Sequence, residues 1–569
     1  MKKTALTILL TALTVATGYA QGAYDAWLFS ENNYEGTART VAMGNAFTAL
    51  GGDLGAVSIN PAGSAVAGYS QFALTPSLTV SSSTAGGALP PNSSNLPYFD
   101  KTHRSGTHKW GIPNLGMSFN FKTGRHTGLK NITVGFIANR SNTWCEDVYA
   151  AGTNYTTSFA GAAANDATEN IAWHNEYLPA GEPRYSHLDF TAENAYEYYN
   201  PWKDIIGYRS GIFSQYDEAG EKFIGATEIL YDNGSIQQGG PLYQTYGRNV
   251  NGLKDDYIFN IGANISDFVY LGFSLGMTSL TYDYTEYFKE SAEDESNFEN
   301  VFSDSEGNKY TTYFHDLTYK YNYSASGFGV YGKFGVIVTP GDGLRLGAAI
   351  QTPTSTTIDE QWQESGATNF SDSQFNGNAT SPLGEARYTF YSPLRANFGV
   401  AYTMNNLALF SVDYEVAAYN TIKYQIDRYN MSDADIEYLN GVNEDIRNAY
   451  GPAHQLRIGA ELKPSSMLAV RAGYNLRTSA QTKYYDESVG EYVKNPYSYS
   501  HNVSAGLGFI SKGSFFADIA CRYTFRSKEY YMPYNDYQFD GNGEITNYAP
   551  EILIDKRNWK VYLTLGWRF

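Results

Sequence analysis

The sequence has no long hydrophobic run after residue 20, only two cysteines and no excess of basic residues. No stretch of about eighteen apolar residues follows residue 20, so a protein that crosses a membrane with helices is excluded. Two cysteines, Cys145 and Cys521, are too few for a disulfide framework. We do not expect them to pair, because one lies in a predicted loop and the other in a predicted strand. The 40 Lys and Arg are outnumbered by 58 Asp and Glu, which argues against nucleic acid as a partner.

Tyrosine and glycine are abundant instead, at 50 and 55 residues, and 31 phenylalanines accompany them. In a chain without membrane-spanning helices, this excess suits a β-barrel with an apolar outer face and a polar lumen and loops. A soluble secreted protein remains an alternative on composition alone.

The N-terminus has the features of a secretory signal peptide, residues 1–20. Lys2 and Lys3 form a positive start, and residues 4–16 are apolar but too short to span a bilayer as a helix. Gly18 and Ala20 place small residues where a signal peptidase requires them. The alternative is a hydrophobic strand buried in the fold. We expect cleavage after residue 20 and export of the mature chain.

The end of the sequence, residues 559–569, alternates strictly between apolar and other side chains. This is the pattern of a strand with one face in lipid, although one strand of a soluble β-sandwich shows it too. The chain stops at Phe569, with Trp567 two residues before, and this ending resembles the assembly signal that the barrel-insertion machinery reads. The apolar face comprises Trp559, Val561, Leu563, Leu565, Trp567 and Phe569.

The same alternation recurs upstream, and the connections between strands alternate in length. Short turns rich in Gly, Pro, Asn and Ser occur at residues 266–267, 340–343, 405–406, 463–466 and 511–514. Long polar connections separate these hairpins, roughly residues 141–255, 289–318, 352–389, 417–453, 478–500 and 527–558. Short turns at one end and long loops at the other are typical of an outer-membrane barrel.

The strand count is about fourteen, an even number that puts both termini on the periplasmic side and the long loops outside the cell. The predicted fold is all-β, a 14-stranded antiparallel transmembrane β-barrel in the outer membrane of a Gram-negative-type bacterium. A barrel of this size leaves a channel unless something fills it. Residues 21–68 are rich in small residues and glycines, so we expect them to form a compact plug inside the barrel of residues 69–569.

The plug carries the triplet Asn60-Pro61-Ala62, which resembles the hatch motif of the FadL/TodX family of outer-membrane transporters. Residues 327–330, 344–348 and 352–354 resemble a barrel segment of the same family. Taken alone, Asn60-Pro61 is also a common start of an ordinary turn. One departure is the connection of residues 141–255, which is far longer than the family's and leaves room for an added function.

The resemblance implies passive uptake of long-chain fatty acids or similar hydrophobic compounds through a hatch-gated barrel. Asn60, Pro61 and Ala62 would gate it, together with Gly51, Gly52 and Asp53. In the family the ligand leaves sideways through a kinked strand, and Gly135 is our candidate for the kink. The alternative function is a surface adhesin or receptor, including a haem-receptor-like role, that uses the barrel as an anchor for its loops.

Strand parity places several cations and glycines in the lumen. Arg395, Arg457 and Arg522 are candidates for binding a ligand carboxylate, because an unpaired carboxylate is costly to take out of water. The alternative is that they pair with carboxylates of the plug and wall and hold the plug in place. Inward-facing glycines are expected to make room for the plug or a ligand: Gly272, Gly276, Gly459, Gly473, Gly506 and Gly508.

No motif in the sequence supports catalysis, so we expect no enzyme activity and no cofactor. The eight histidines lack the spacing of metal ligands, and we expect no metal site. The expected partners are a hydrophobic small-molecule ligand, outer-membrane lipid and the barrel-assembly machinery, and we expect a monomer.

Overall fold

The computed structural model describes residues 22–87, 99, 101–178, 183–199, 201–303, 308–404, 407–486, 491–494, 499–526, 528–535, 538–539, 545–547 and 549–569. The signal peptide predicted for residues 1–20 and the turn predicted at residues 405–406 lie outside these residues.

Fourteen antiparallel strands form one closed barrel, which confirms the predicted fold class. The strands are β1 (Gln71–Gly87), β2 (His103–Lys122), β3 (Leu129–Asn154), β4 (Leu242–Ile265), β5 (Val269–Ala292), β6 (Lys309–Gly341), β7 (Leu344–Gln351 and Ser355–Phe370), β8 (Gly384–Tyr391 and Arg395–Met404), β9 (Ala408–Ala418), β10 (Pro452–Leu462), β11 (Leu468–Thr478), β12 (Tyr499–Ile510), β13 (Phe515–Arg526) and β14 (Ile552–Arg568). Consecutive strands pair with each other, and β14 pairs with β1 to close the wall.

An apolar band surrounds the outside of the barrel, because every strand alternates between outward apolar and inward polar or small residues. In β14, Trp559, Val561 and Leu563 are exposed, whereas Lys560, Tyr562 and Thr564 on the opposite face are buried. The other strands repeat this pattern, for example with Phe398 and Val400 exposed on β8. Such a band is the surface that a bilayer covers.

Strands β3 to β6 are 24 to 33 residues long, far more than the roughly ten residues that cross a bilayer. They continue beyond the apolar band at the end of the long connections. The connection predicted for residues 141–255 is therefore shorter than expected, at residues 155–241, because residues before and after it extend β3 and β4. Outside the bilayer these extensions need no apolar outer face. Their sequences therefore lack the alternation from which the strands were predicted.

Helices occur in the plug and in the long connections. The plug contains α1 (Ala23–Ser30), α2 (Ala38–Ala42) and α3 (Gly63–Val66), and the β3–β4 connection contains α4 (Phe159–Glu176), α5 (His187–Thr191), α6 (Ala195–Tyr198) and α7 (Trp202–Arg209). Helix α8 (Asp433–Ala449) lies between β9 and β10. Among the described residues, no helix combines the length and apolarity needed to cross a membrane.

Minor elements complete the long connections. The short strands are Phe213–Gln215, Phe223–Gly225, Glu228–Leu230, Ile236–Gln238, Glu299–Ser303, Gly377–Thr380, Lys423–Tyr424, Lys483–Asp486, Glu491–Lys494, Glu529–Tyr531, Gln538–Phe539 and Ile545–Asn547. Single 3₁₀ turns span Gly55–Ser58, Glu295–Asn297, Ser373–Phe375 and Tyr419–Thr421.

Candidate functional site

Residues 22–68, which we call the plug, lie inside the barrel and bond to its wall on several sides. The Ala38 amide donates to Thr564 Oγ1 of β14 at 2.7 Å, and the Thr48 amide donates to Asp413 Oδ2 of β9 at 2.7 Å. On other sides, Asn260 Nδ2 of β4 donates to the carbonyl of Pro61 at 3.1 Å, and Asn139 Nδ2 of β3 donates to Ser58 Oγ at 2.9 Å. The plug therefore fills the cross-section of the lumen.

Glycines on the inner face of the wall let the backbone of the plug come close. A Cβ added at Gly272 would overlap the Pro61–Ala62 peptide, and one at Gly459 would lie 2.5 Å from the carbonyl oxygen of Met43. A Cβ at Gly473 would overlap Gly44, and one at Gly506 would overlap Ala42. All four glycines therefore make room for the plug, as the sequence predicts. The two other predicted glycines differ: Gly276 faces the Tyr331 ring and Gly508 faces Asp518 and Arg471, so they make room for wall side chains.

Asn60 connects the plug to two wall strands. Its Nδ2 donates to the carbonyls of Thr48 at 2.7 Å, Val336 at 3.2 Å and Ala348 at 3.4 Å, and its Oδ1 accepts from the Ala62 amide at 3.0 Å. The side chain is fully buried, and a Cβ at the neighbouring Gly335 would overlap it. One amide thus forms the turn around Pro61 and holds that turn against β6 and β7.

The other three predicted hatch residues lie in the same folded unit. Gly51 and Gly52 have φ values of 59° and 74°, which only glycine adopts readily, and the Gly52 amide donates to the Gly63 carbonyl at 2.8 Å. Asp53 Oδ1 accepts from Thr37 Oγ1 at 2.7 Å and from the Gly55 amide at 2.9 Å. All six residues therefore shape the plug around its contact with the wall.

The three predicted lumen arginines have partners within the protein. Arg395 Nη1 lies 3.1 Å from Glu415 Oε1, and its Nη2 donates to the Ser30 carbonyl at 2.6 Å. Arg457 pairs with the other oxygen of Glu415. Arg522 stands apart from this pair: its Nη1 donates to the carbonyl of Tyr34 at 3.2 Å, and its guanidinium lies 5.7 Å from the Tyr562 ring centroid. Two of the three therefore share one carboxylate, and two of them hold plug carbonyls.

The plug also places one carboxylate against the wall. Glu35 forms an ion pair with Lys560 of β14 and accepts from Thr143 Oγ1 of β3 at 2.7 Å. Burial alone would raise the pKa of Glu35, but the positive charges of Lys560 and Arg522 lower it to about 2. Glu35 therefore stays ionised and joins two wall strands that are separated by β1 and β2.

The wall has an opening between β2 and β3. These two strands pair from Asn114↔Asn139 to Lys122↔Asn131, and beyond Asn114 the described residues pair again only at one isolated bridge, Lys101↔Ala151. The register shifts at this level between Thr75 and Ser77 in the β1–β2 pair and between Arg140 and Asn142 in the β3–β4 pair. We call the unpaired part of this seam the wall gap.

The plug and one arginine occupy the wall gap. The amides of Asn33 and Glu35 donate to the carbonyls of Ser141 at 2.5 Å and Arg140 at 2.9 Å, where β2 would otherwise pair. The Arg140 guanidinium donates to both carboxylate oxygens of Asp255, at 2.8 and 3.1 Å. A Cβ on Gly111 of β2 would lie 2.6 Å from Arg140 Nη1, so the guanidinium fills the space beside this glycine.

The register of β3 with β4 shifts at Leu129–Asn131 and at Arg140–Asn142. Gly135 pairs with Ser118 and Asn260 in unbroken register. A kink at Gly135 stays a prediction. A bulge needs partners for its freed carbonyls rather than a glycine, and the plug amides supply them.

Sequence reasoning missed Glu35, Lys560, Arg140 and Asp255. A signal was present in the strand pattern, because Pro113 interrupts β2 where its ladder with β3 stops. Proline has no amide hydrogen, and inside a predicted strand it indicates an edge or a bulge. The signal points to the gap but not to the residues that fill it.

A ring of four charges lies in the lumen at the level where the strands leave the apolar band. Arg248 contacts Glu146 at 2.7 Å and Glu529 at 3.0 Å, and Lys556 contacts the same two carboxylates at 2.8 and 2.5 Å. The ring joins β3 and β4 to β14 and the segment after β13. Each charge in it has two partners of opposite sign.

The two ends of the described chain lie at opposite ends of the barrel. Phe569 exchanges two backbone hydrogen bonds with Ser70, at 2.9 and 3.1 Å, beside the short turns. Gly22 accepts from Tyr424 OH at 2.7 Å, beside the long connection after β9. From residue 22 onward the plug therefore runs along the lumen, and the location of both termini on the periplasmic side stays a prediction.

The C-terminal strand places its predicted assembly residues on the outer surface. Trp567 and Phe569 are exposed, and the Trp567 ring centroid lies 5.4 Å from that of Phe515 and 6.3 Å from that of Phe72. The two side chains thus lie at the seam where the barrel closes.

Solved structures to which the chain is similar include a Pseudomonas aeruginosa FadL homologue at 10% identity and a TM-score of 0.47. The toluene transporters TodX of P. putida and TbuX of Ralstonia pickettii follow, each at 11% identity, with TM-scores of 0.49 and 0.43. Each match covers 94% of this chain and 98% of the other. No protein-family model and no curated protein matches the sequence. At this identity and TM-score the likeness supports no argument about activity. The solved structures do include members of the FadL/TodX family that the sequence resembles.

Proposed function

We propose that this protein is an outer-membrane channel for the passive entry of small hydrophobic molecules, and that the plug and the wall gap form its route. The observation that carries the proposal is the unpaired seam between β2 and β3, where plug amides bond to the carbonyls of Arg140 and Ser141. A wall whose ladder is completed by a separate segment opens when that segment moves.

The surroundings of the wall gap suit an apolar ligand. On β2, Trp110 is 71% exposed and Ile112 56% exposed, so the gap borders the surface that faces the bilayer. A ligand that leaves there enters lipid without crossing water. We propose this sideways exit, with Arg140 and Asp255 as the pair that separates when the gap opens.

In this proposal Asn60, Pro61 and Ala62 form the anchor of the plug on β6 and β7, four strands along the wall from the gap. Arg395 and Arg522 hold the plug through the Ser30 and Tyr34 carbonyls, and Arg457 pairs with Glu415 of the wall, which supports a structural role over the binding of a ligand carboxylate. Signal-peptide removal, insertion by the barrel-assembly machinery through Phe569 and Trp567, and a monomeric state belong to the same proposal.

The test is uptake of radiolabelled oleate and toluene by cells that carry the intact protein, the Pro61→Ala variant or no copy. We expect faster uptake of at least one compound with the intact protein and slower uptake with Pro61→Ala. The matched control is Pro464→Ala, which changes an exposed proline in the short turn after β10. Equal uptake with and without the intact protein would falsify the transport proposal.

A second function, surface binding, is favoured by the β3–β4 connection. Its helices bury a common apolar cluster, yet Trp173, Tyr177 and Leu188 are 59%, 66% and 64% exposed. Folded loops with exposed large apolar side chains often mark interaction sites. Deleting residues 155–241 should leave uptake in place and abolish adhesion to host cells if the connection has this role.

A further inference from the structure

A space lined by aromatic rings lies between the plug and the long connections. Tyr24 and Trp27 of α1, Tyr284 of β5, and Tyr321 and Tyr323 of β6 point into the barrel and yet remain partly exposed. Inward-facing side chains that are partly exposed line an open space within the lumen. We call this space the upper chamber.

The aromatic side chains of the upper chamber form pairs and present ring faces. The ring centroids of Tyr24 and Trp27 are 5.3 Å apart, and those of Tyr284 and Tyr321 are 6.2 Å apart. Tyr323 lies 6.1 Å from Tyr282. The negative faces of such rings attract organic cations as well as apolar groups.

Two carboxylates at the upper chamber lack a cationic partner among the described residues. Asp25 of α1 is partly exposed and accepts one hydrogen bond, from the Gly22 amide at 3.2 Å. Glu360 of β7 is 1% exposed, and its Oε2 accepts from Tyr323 OH at 2.7 Å and Tyr388 OH at 3.0 Å. Its Oε1 is buried without a partner among the described residues, which is costly for a polar atom.

The cations nearest to the chamber already have ion-pair or hydrogen-bond partners. Arg248 and Lys556 each contact both Glu146 and Glu529 in the charge ring. Lys254 donates to the carbonyls of Phe29 at 2.7 Å and Glu31 at 3.2 Å. The upper chamber therefore offers acceptors and aromatic faces, and the described cations around it are not free to bind an anion.

We propose that the upper chamber binds hydrophobic amines, with the protonated amino group at Asp25 and Glu360 and the apolar body against the rings of Tyr24, Trp27 and Tyr323. This inference rests on the proposed function, because it names the class of molecule that enters the channel. An ammonium supplies the donors that both carboxylates lack, and charge-assisted hydrogen bonds of this kind are the strong ones.

The test uses three probes with similar bodies and different charges: 2-phenylethylamine, 3-phenylpropionate and propylbenzene. Binding to the purified full-length protein in detergent is measured by calorimetry and by the change in tryptophan fluorescence. We expect the amine to bind at least about tenfold more tightly than the carboxylate, as one or two charge-assisted hydrogen bonds predict. Equal or tighter binding of 3-phenylpropionate overturns the inference.

Conservative variants locate the site. Glu360→Gln and Asp25→Asn keep an acceptor oxygen for their present partners and remove the charge, so each should weaken amine binding about tenfold and leave propylbenzene binding unchanged. Glu437→Gln, on the exposed face of α8, is the matched control and should have no effect. An amine affinity that neither chamber variant changes overturns the inference.

Uptake by cells separates this inference from the proposed function. Uptake of propylbenzene through the protein without preference for the amine overturns the amine site and leaves the channel proposal standing. Amine binding that disappears in both chamber variants, without protein-dependent uptake of any probe, supports the site and overturns the channel.

Discussion

Two seams of the same wall, separated only by the β1–β2 pair, differ in an unexpected direction. The β14–β1 seam joins strands from opposite ends of the chain and stays paired along its length, from Arg568↔Gln71 to Ile552↔Gly87. The β2–β3 seam joins strands that follow each other in sequence, yet among the described residues its ladder runs only from Asn114 to Lys122, with one isolated bridge farther along at Lys101↔Ala151. Closeness in sequence therefore does not decide where the wall is sealed. The ladder stops where plug amides bond to the carbonyls of Arg140 and Ser141.

The largest effect is expected from locking the β2–β3 seam. The Thr107 hydroxyl of β2 contacts the thiol of Cys145 in β3, so Thr107→Cys places a second thiol across the seam. After oxidation we expect nearly all uptake to be lost, because the wall gap no longer widens, and reduction should restore it. Uptake of labelled toluene before and after reduction measures this.

The control locks the closed seam instead. Val80 and Trp559 are paired, exposed positions of β1 and β14, and Val80→Cys with Trp559→Cys is made in a Cys145→Ser background. Its oxidation should not change uptake. Equal inhibition by both cross-links would contradict the idea that only one seam opens.

A smaller effect is expected from Arg140→Ala. The change leaves Asp255 without its cation and empties the space beside Gly111, so we expect the free energy of unfolding to fall by about 1–3 kcal/mol. The unfilled gap should also admit hydrophobic dyes without a ligand. Urea titration and dye entry measure the two effects, and Arg140→Lys, which keeps the charge but loses the paired geometry, should fall between. An unchanged dye entry would separate Arg140 from the gap.

Substitutions at two glycines test where the wall has no room for a side chain. Gly335→Ala adds a methyl group against Asn60 and should destabilise the plug by about 1–3 kcal/mol, as overpacking does. Gly135→Ala meets Ile137 Cδ1 at 3.1 Å, a flexible side chain, and should cost less than that. Protease sensitivity of the plug reports the first effect. A loss of uptake in Gly135→Ala would support the predicted kink at this glycine.

The smallest effect is expected from a change of pH, because the group concerned, Glu35, titrates only in acid. The folded-state pKa of Glu35 is lowered from 4.5 to about 2, so its contribution to stability is present above pH 4.5 and is lost as the pH falls toward 2. Plug protection against protease should decline in that window. In Glu35→Gln the decline attributable to this group should be absent, and an identical pH profile in both proteins would contradict the assignment.

The barrel was predictable because its signal is local. Alternation such as that from Trp559 to Leu565 requires only neighbouring residues, and the glycines that meet the plug follow from the same parity. The wall gap was not predictable, because it depends on hydrogen bonds between Asn33 or Glu35 and carbonyls more than a hundred residues away. For Arg395 and Arg457, parity gave the inward direction, but the shared Glu415 required the registers of β8 with β9 and of β9 with β10.

The glycine contacts of the plug also constrain the order of assembly. Plug atoms press on glycines of eight strands, among them Gly262, Gly347 and Gly399, with no space for side chains between. A plug that fits so closely cannot enter a barrel that has already closed. We expect the N-terminal segment, which is synthesised first, to be in place before the barrel closes. The sheet then curls around this segment, and β14 pairs with β1 last.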